Sequence, residues 1–365
     1  MRRVVIKLGS SIVADDEGEL RTDVLTAVCS CVATERAAGN EVVVVTSGAI
    51  ARGMQVMELG ARPSLIEELQ AASAIGQGKL YRVYDELLLE RGVTSAQILL
   101  TFFDVSARAH YLNVRQTLRT LLDWGVVPII NENDTTTTDE ISFGDNDFLA
   151  AQVAVLVGAD LLVLLTEPDG LFTADPRRDP DARLVPLVED FEALEALSIT
   201  QETSVLGSGG MRSKVVAAEM ATAAGVNAVV CSGRRPEALQ RVLAGADEGT
   251  RFPARAARYS SFKLWLKYAK PSHGRITVDA GAARAVIDGG TSLLPVGVVA
   301  VEGRFAAGDA VEIVLADSGA TIGKGIVNYG AADLQRVKGM QSAQIADVLP
   351  GGSDEAIHRD YLVLS

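Results

Sequence analysis

The sequence lacks the features by which several large classes of protein are recognised. It has only 3 cysteines in 365 residues, Cys29, Cys31 and Cys231, and they do not show the spacing of a metal site. We therefore expect free thiols in a reducing compartment. The most apolar stretch, residues 153–165, contains Asp160 and is too short to span a bilayer. The N-terminal apolar run is broken at Lys7, which does not fit a signal peptide. These absences predict a cytoplasmic protein.

Positive charge is also scarce, and so are the common motifs of phosphate binding. The formal net charge is −13, so the chain has no general attraction for nucleic acid or anionic membranes. It contains neither a Walker A sequence nor GxGxxG after the first predicted strand. The 3 histidines, His110, His273 and His358, lie outside every motif discussed below. Any phosphate chemistry must therefore use other glycine turns and no histidine base.

What the chain does contain, up to about residue 250, is an alternation of strand and helix patterns. Nearly continuous apolar runs, typical of strands covered on both faces, occupy residues 3–8, 41–46, 126–131, 161–166 and 228–231. Helical patterns occupy residues 22–38, 64–90, 106–124, 146–157 and 211–224. The alternation predicts an α/β fold, an open and mostly parallel sheet with helices on both faces.

A change in composition divides the chain. Residues 251–271 hold six Lys or Arg and no acid, which predicts a basic linker after a first domain over residues 1–250. From residue 272 to 365, short apolar runs alternate with glycine and aspartate turns, and no long helical period is visible. This pattern predicts a small β-barrel-like second domain.

Three glycine turns are candidates for phosphate binding. Lys7 precedes Gly9 in the first strand, and it either reaches a phosphate or extends from an edge strand into solvent. The turn Ser47-Gly48 follows the second strand, and either presents amides to an anion or is only a tight turn. The run GSGGMRSK at residues 207–214 leads into a helix. Its open amides and Lys214 favour phosphate binding over a plain loop.

Two clusters combine acids with amides. NEND occupies residues 131–134 at the end of a predicted strand, and GDND occupies residues 144–147 at the start of a predicted helix. A single aspartate at a helix start is commonly a cap. The density here instead suits binding of an ammonium group and positioning of lysines, with a divalent metal as the alternative.

Taken together and in order, these motifs resemble one family. The segments VVIKLGSS, VVVVTSGAI, VPIINEND, FGDNDFLAA, LLVLLTEPDGLFTADPR and GSGGMRSK are similar to those of the bacterial glutamate 5-kinases of the amino acid kinase family. The stretch from Gly274 onward resembles the PUA domain that is fused to many of them. The resemblance implies transfer of a phosphoryl group from ATP, with Mg²⁺, to the side-chain carboxylate of L-glutamate, the first step of proline biosynthesis. It also implies a homo-oligomer, dimer or tetramer, and proline as a feedback inhibitor.

The resemblance further implies roles for individual residues. Lys7 and Lys214 would contact phosphate, and Asp147 would join them as a catalytic residue that orients the lysines. Glutamate would be bound by Ser47, Asp134, Asp145 and Asn146. The ATP site would comprise Lys7, Thr166, Glu167, Ser208, Gly209, Gly210, Met211, Arg212, Ser213 and Lys214. Glu167 and Ser208 stand where the family commonly has Asp and Thr, which leaves the contacts to the base and ribose open. No metal ligand is assigned to a protein side chain.

The expected chemistry needs little proton transfer. A glutamate side chain with a pKa of ~4.3 is already ionised at neutral pH, so no general base is required. Two anions must nevertheless approach each other, so catalysis should consist of positioning and charge neutralisation.

Two alternatives stay open from the sequence alone. The same fold could phosphorylate acetylglutamate, aspartate, carbamate or a nucleoside monophosphate, although the acidic clusters favour a substrate with a free ammonium group. A PUA-type domain could instead bind RNA. Against this, residues 272–356 contain six basic and ten acidic residues, whereas the basic stretch 251–271 argues for it.

Overall fold

The chain forms two compact units, Met1–Arg258 and Tyr259–Ser365. The computed structural model describes residues 1–15, 17–101, 104, 108–136, 146–191, 194, 210–255, 263, 266–267, 270 and 272–364. Among the helices it describes, none is long and apolar enough to cross a membrane. Most of the basic stretch 251–271 lies outside the described residues.

The first unit is built on a seven-stranded sheet in the order β3-β4-β2-β1-β5-β6-β7. Every neighbouring pair is parallel except β6 and β7, which confirms the predicted parallel sheet. The strands are β1 (Arg3–Leu8), β2 (Glu41–Val45), β3 (Ser95–Leu100), β4 (Val127–Glu132), β5 (Leu161–Thr166), β6 (Asn227–Ser232) and β7 (Thr250–Phe252).

Helices cover the two faces of this sheet. They are α1 (Ser10–Val13), α2 (Thr22–Ala37), α3 (Ala49–Val56), α4 (Ile66–Leu89), α5 (Arg108–Asp123), α6 (Asn146–Val157), α7 (Met211–Ala223) and α8 (Pro236–Leu243). One group packs around α2, which contacts α4 and α8; the other packs around α6, which contacts α5 and α7. The predicted α/β fold with helices on both faces is therefore confirmed.

The alternation of side chains along β1 explains how one lysine enters an apolar strand. Val4, Ile6 and Leu8 are fully buried in the core that contains α2, α4 and α8. Successive side chains of a strand point to opposite faces, so Lys7 faces the other side, where α6 and α7 pack. Lys7 pairs in register with Val45 of β2 and Leu164 of β5, which puts it at the centre of the sheet.

Helix α3, which the sequence patterns did not predict, packs very closely on α4. A Cβ atom on Gly53 would lie 1.8 Å from the carbonyl oxygen of Ala72, and one on Gly76 would lie 1.9 Å from that of Ala49. Both contacts are with backbone, so only glycine allows the two helices to approach this far. The close packing fixes α3, and with it the turn that precedes α3.

The second unit contains a five-stranded sheet in the order β12-β11-β10-β8-β9. Its strands are β8 (Ser272–Val278), β9 (Val298–Gly303), β10 (Ala310–Leu315), β11 (Thr321–Ile326) and β12 (Leu362–Leu364). Helices whose bounds the structure describes in this unit are α9 (Ala280–Ile287), α10 (Ala331–Val337) and α11 (Ser342–Val348). The separate five-stranded sheet confirms the predicted small β domain. The sequence shows no long helical period here because helices of 7 or 8 residues are too short to produce one.

Candidate active site

The carboxyl ends of the six parallel strands lie at one edge of the large sheet. Open α/β sheets bind ligands at this edge, where strand order reverses. Here β1 is central, with β2 and β4 on one side and β5 and β6 on the other. We refer below to the β2–β4 half and the β5–β6 half of the site, which meet above the end of β1.

Lys7, Asp147 and Lys214 come together where these two halves meet. Lys7 Nζ lies 2.5 Å from Asp147 Oδ1, and Lys214 Nζ lies 2.9 Å from Asp147 Oδ2. All three side chains are buried, and the Asp147 carboxylate is 0% exposed. Asp147 lies in the first turn of α6 and Lys214 in the first turn of α7, so three separate elements build the cluster. Two ammonium groups share one carboxylate, which leaves a local charge of +1.

The charge state of Asp147 follows from these contacts. Complete burial alone would raise the pKa of its carboxyl group, but the charges of Lys214 and Lys7 outweigh burial and hold the pKa well below its ordinary value. The positive end of α6 also favours a carboxylate at this position. Asp147 is therefore an ionised group that holds two lysines in place, and it is unsuited to act as a general base.

The start of α7 presents further donors beside Lys214. Gly210 precedes the helix and supplies no side-chain cap, and the unpaired amides of a helix start are suited to bind an anion. The Ser213 hydroxyl lies 2.9 Å from Asp147 Oδ2 and 2.8 Å from the carbonyl oxygen of Gly210. Met211 is half-buried and Arg212 is exposed. Ser208, Gly209 and Asp145 lie outside the described residues.

In the β2–β4 half, Asn146 is bound to the end of β2. Its Nδ2 lies 2.6 Å from the carbonyl oxygen of Thr46, 2.9 Å from Ser47 Oγ and 2.8 Å from Asn131 Oδ1. All four side chains are buried. The turn after Ser47 needs a glycine, because Gly48 has φ of 99°, a conformation that L-residues with a side chain rarely adopt. Ser47 and Asn146, predicted to act on one substrate, are therefore in direct contact.

Asp134 belongs to the same half and lies in the turn after β4. It accepts a hydrogen bond of 2.9 Å from the Ser73 hydroxyl. Burial raises the pKa of Asp134 above its ordinary value, while the hydrogen bond from Ser73 and the charge of Arg62 act in the opposite direction. Asp134 is thus a half-buried acid whose loss of solvation is only partly compensated, and a ligand cation would stabilise its ionised form.

The sequence analysis missed the contribution of α4 to this half. Ser73 contacts Asp134, Gln77 Oε1 lies 2.6 Å from Asn131 Nδ2, and the Tyr84 hydroxyl lies 2.9 Å from Thr46 Oγ1. Gln77 and Tyr84 follow Ser73 by 4 and 11 residues, a spacing that puts all three side chains on one face of the helix. The available signal was a polar side chain recurring within the buried stripe of α4, where Leu80 and Leu88 are fully buried.

The β5–β6 half carries the remaining predicted residues. Thr166 ends β5, and its carbonyl oxygen accepts a hydrogen bond of 2.8 Å from the amide of Gly233. Glu167 is exposed and forms an ion pair of 2.9 Å with Arg234. The loops after β5 and β6 are therefore joined to each other, and Arg234 is a neighbour of Glu167 that sequence patterns did not identify.

The described part of the chain contains no group of three or more His, Cys, Asp or Glu arranged to hold a metal ion. The histidines are each partly exposed and lie near acids of their own surroundings, His110 near Asp104 and His273 near Asp309. The predicted roles of the site residues remain predictions, although the structure brings Lys7, Asp147 and Lys214 together.

Comparison with known proteins gives consistent matches. Residues 2–232 match the amino acid kinase family, and residues 274–349 match the PUA domain. The chain is 45% identical over 365 residues to a glutamate 5-kinase of Meiothermus ruber, covering 100% of this chain and 96% of that protein. It is 47% identical to a glutamate 5-kinase of Burkholderia mallei, covering 100% of this chain and 98% of that protein. Among solved structures, a UMP kinase from Bacillus anthracis has a similar fold, with a TM-score of 0.50 and 19% identity over 70% of this chain and 97% of that one.

Proposed function

The chain belongs to the amino acid kinase family, and from this premise we propose that it is a glutamate 5-kinase. It would transfer the γ-phosphoryl group of ATP to the side-chain carboxylate of L-glutamate, giving L-glutamyl 5-phosphate and ADP. Two full-length relatives that carry this name, at 45% and 47% identity, support the proposal. It would be the first step of proline biosynthesis.

The observation that carries the proposal is the buried Lys7–Asp147–Lys214 cluster. Transfer between a phosphate and a carboxylate brings two anions together, and fixed cations are the direct way to offset that repulsion. Both ammonium groups are already held in place, at 2.5 and 2.9 Å from one carboxylate. Because the two ammonium groups need not move during the reaction, they can stabilise the transition state without a cost of reorganisation.

The β2–β4 half suits an amino acid as the acceptor. Asp134 is a half-buried acid whose pKa is raised by loss of solvation, and an ammonium group beside it would favour its ionised form. The Oδ1 atom of Asn146 is buried without a hydrogen-bond partner among the described residues, so it is a second acceptor for such a group. Acetylglutamate lacks the free ammonium that these two acceptors would bind.

The β5–β6 half, together with the start of α7, would bind ATP. Open amides at the start of α7 suit phosphate oxygens, and Thr166 and Glu167 lie at the end of β5. Mg²⁺ would enter with ATP as part of the substrate. Both oxygens of Asp147 already contact lysines, so phosphate oxygens and water, rather than this carboxylate, would coordinate the ion.

The test is ATP turnover with L-glutamate beside acetylglutamate, aspartate, carbamate and UMP, with hydroxylamine present to trap acyl phosphates. We expect a trapped hydroxamate and matching ADP release with glutamate. Turnover with acetylglutamate or UMP in preference to glutamate would reject the proposal. The same assay with added proline tests the predicted feedback inhibition, and light scattering of the purified protein tests the predicted homo-oligomer.

A further inference from the structure

A chain of three buried amides runs from α4 into the β2–β4 half. Gln77 Oε1 accepts a hydrogen bond of 2.6 Å from Asn131 Nδ2, and Asn131 Oδ1 accepts one of 2.8 Å from Asn146 Nδ2. Gln77 is 9% exposed, Asn131 2% and Asn146 6%. Each amide has one donor end and one acceptor end, so the orientation of the first constrains the orientation of the next.

Backbone groups agree with this orientation at two points. The amide of Glu132 donates to Asn131 Oδ1 at 2.9 Å, and the carbonyl oxygen of Thr46 accepts from Asn146 Nδ2 at 2.6 Å. If Asn146 were turned over, its oxygen would meet two acceptors, Thr46 O and Asn131 Oδ1. The nitrogen therefore faces β2 and β4, and Asn146 Oδ1 is left on the opposite side.

Asn146 Oδ1 is buried and has no hydrogen-bond partner among the described residues. Buried acceptors without a partner are uncommon, because the lost hydrogen bond to water is not replaced. L-Glutamate can supply a donor in one way only, through its ammonium group, because both of its carboxylates are acceptors at neutral pH. The oriented Asn146 oxygen and Asp134 would then share that ammonium group.

Gln77 contacts Asn146 through Asn131. We propose that Gln77 is a positioning residue for recognition of the substrate's ammonium group. This inference rests on the proposed function. Without the Gln77 oxygen, Asn131 Nδ2 would be a buried donor with no acceptor. Asn131 would relieve that cost by rotating, and Asn146 would lose the contact that keeps its oxygen directed at the ammonium group.

A purely structural role for Gln77, as packing between α4 and β4, makes a different prediction. Loosened packing would weaken the binding of every ligand of the glutamate site to a similar degree. Loss of the Asn146 orientation would weaken the binding of only those ligands that carry the ammonium group. L-Glutamate and glutarate form a matched pair for this purpose, because glutarate has the same two carboxylates on the same chain and lacks the ammonium group.

The experiment uses the full chain with Gln77→Met, which keeps the length of the side chain without its acceptor, and Gln77→Glu, which keeps an acceptor. The KM for glutamate and for ATP, and the Ki of glutarate against glutamate, are measured for each protein. For Gln77→Met we expect the glutamate KM to rise about tenfold, while the glutarate Ki and the ATP KM change less than twofold. Gln77→Glu should raise the glutamate KM less than threefold.

Gln152→Met is the matched control. It removes a buried amide from α6, the helix that carries Asn146, and neither end of that amide has a partner among the described residues. We expect it to leave the glutamate KM within twofold of the wild-type value. A fall in melting temperature shared by both Met variants would report packing, which the comparison of glutamate with glutarate separates from orientation.

The outcomes distinguish the two levels of the proposal. If the wild-type chain does not turn over glutamate, the proposed function fails and this inference fails with it. If the wild-type chain is active, the inference alone is overturned by an equal loss of glutamate and glutarate binding in Gln77→Met. It is also overturned if the glutamate KM is unchanged in Gln77→Met, or if Gln77→Glu raises the glutamate KM as much as Gln77→Met does.

Discussion

Replacement of Asp147 by Asn is the most informative single test of the charge cluster. The change keeps the size of the side chain and removes the charge that balances two ammonium groups, at 2.5 and 2.9 Å. Removing one partner of a buried ion pair typically costs about 3–5 kcal/mol. In this variant two buried cations would remain side by side, and one of them would lose its proton to relieve the repulsion.

Deprotonation sets an upper limit on the cost of that repulsion, and the limit depends on pH. A lysine with an unfolded-state pKa of ~10.4 costs about 4.6 kcal/mol to deprotonate at pH 7, and about 1.9 kcal/mol at pH 9. In the variant the unfolded chain binds one more proton than the folded chain, so stability rises with pH over this range. The destabilisation caused by Asp147→Asn should therefore shrink by up to about 1.4 kcal/mol for each pH unit.

The assay is denaturant unfolding of the wild-type and variant proteins at pH 7, 8 and 9. At pH 7, a loss of 3–5 kcal/mol corresponds to a melting temperature lower by roughly 6–20 °C for a unit of this size. Glu86→Gln is the control, because Glu86 pairs with Arg82 at the surface, at 57% and 78% exposure, where removal of one partner has little effect. A destabilisation by Asp147→Asn that is the same at pH 7 and pH 9 would refute the argument from charge.

Three further predictions concern separate parts of the first unit. Lys214→Ala should lower kcat by ~10²–10³ with little change in the KM for glutamate, because a preorganised cation acts mainly in the transition state; a near-normal kcat would remove Lys214 from the reaction. The KM for glutamate should rise as the pH falls through the raised pKa of Asp134, because the protonated group no longer attracts an ammonium; a profile unchanged in Asp134→Asn would contradict this. Gly76→Ala would put a Cβ atom 1.9 Å from the carbonyl oxygen of Ala49 and should lower the melting temperature, whereas Gly78→Ala on the same helix meets nothing within 4 Å and should raise it slightly.

Sequence patterns predicted best where one physical cause dominates. Strands β1 and β5 begin and end where predicted, because a strand covered on both faces is a continuous apolar run with polar residues at its end. Lys7 was identified for the same reason, since a charge inside such a run requires a partner. Its partner, Asp147, belongs to the GDND cluster, whose density of acids and amides already indicated positioning of lysines, and the family resemblance implied its individual role.

The patterns failed where structure depends on a neighbour distant in sequence. Strand β3 is at the edge of the sheet and is only partly buried for most of its length, so it lacks the continuous apolar run. Helix α3 is 8 residues long, and its stability comes from close contact with α4 through Gly53 and Gly76. The edge position of β3 and the contact of α3 with α4 both depend on other parts of the chain, so neither can be recognised from the sequence of the element itself.

The β2–β4 half shows the same difficulty at the level of single side chains. Gln77 and Ser73 look like ordinary polar residues of a long helix, because their partners, Asn131 and Asp134, follow them by 54 and 61 residues. Their burial distinguishes them. A polar residue that recurs on the buried face of a helix must have a hydrogen-bond partner in the fold. The pattern of α4 therefore could have predicted that Ser73 and Gln77 have such partners.

The strand order finally explains why the site can be divided by experiment. Among the described residues, those expected to contact the amino acid lie at the ends of β2 and β4 and in the first turn of α6. Those expected to contact ATP, apart from Lys7 of β1, lie at the end of β5 and the start of α7. Among the strands of the sheet, β1 lies between the two halves, and among the described site residues the cluster of Lys7, Asp147 and Lys214 spans them. Substitutions in the β2–β4 half should therefore act on glutamate binding, and those in the β5–β6 half on ATP binding. Substitutions in the cluster should act on kcat, because the two proposed substrate sites adjoin there.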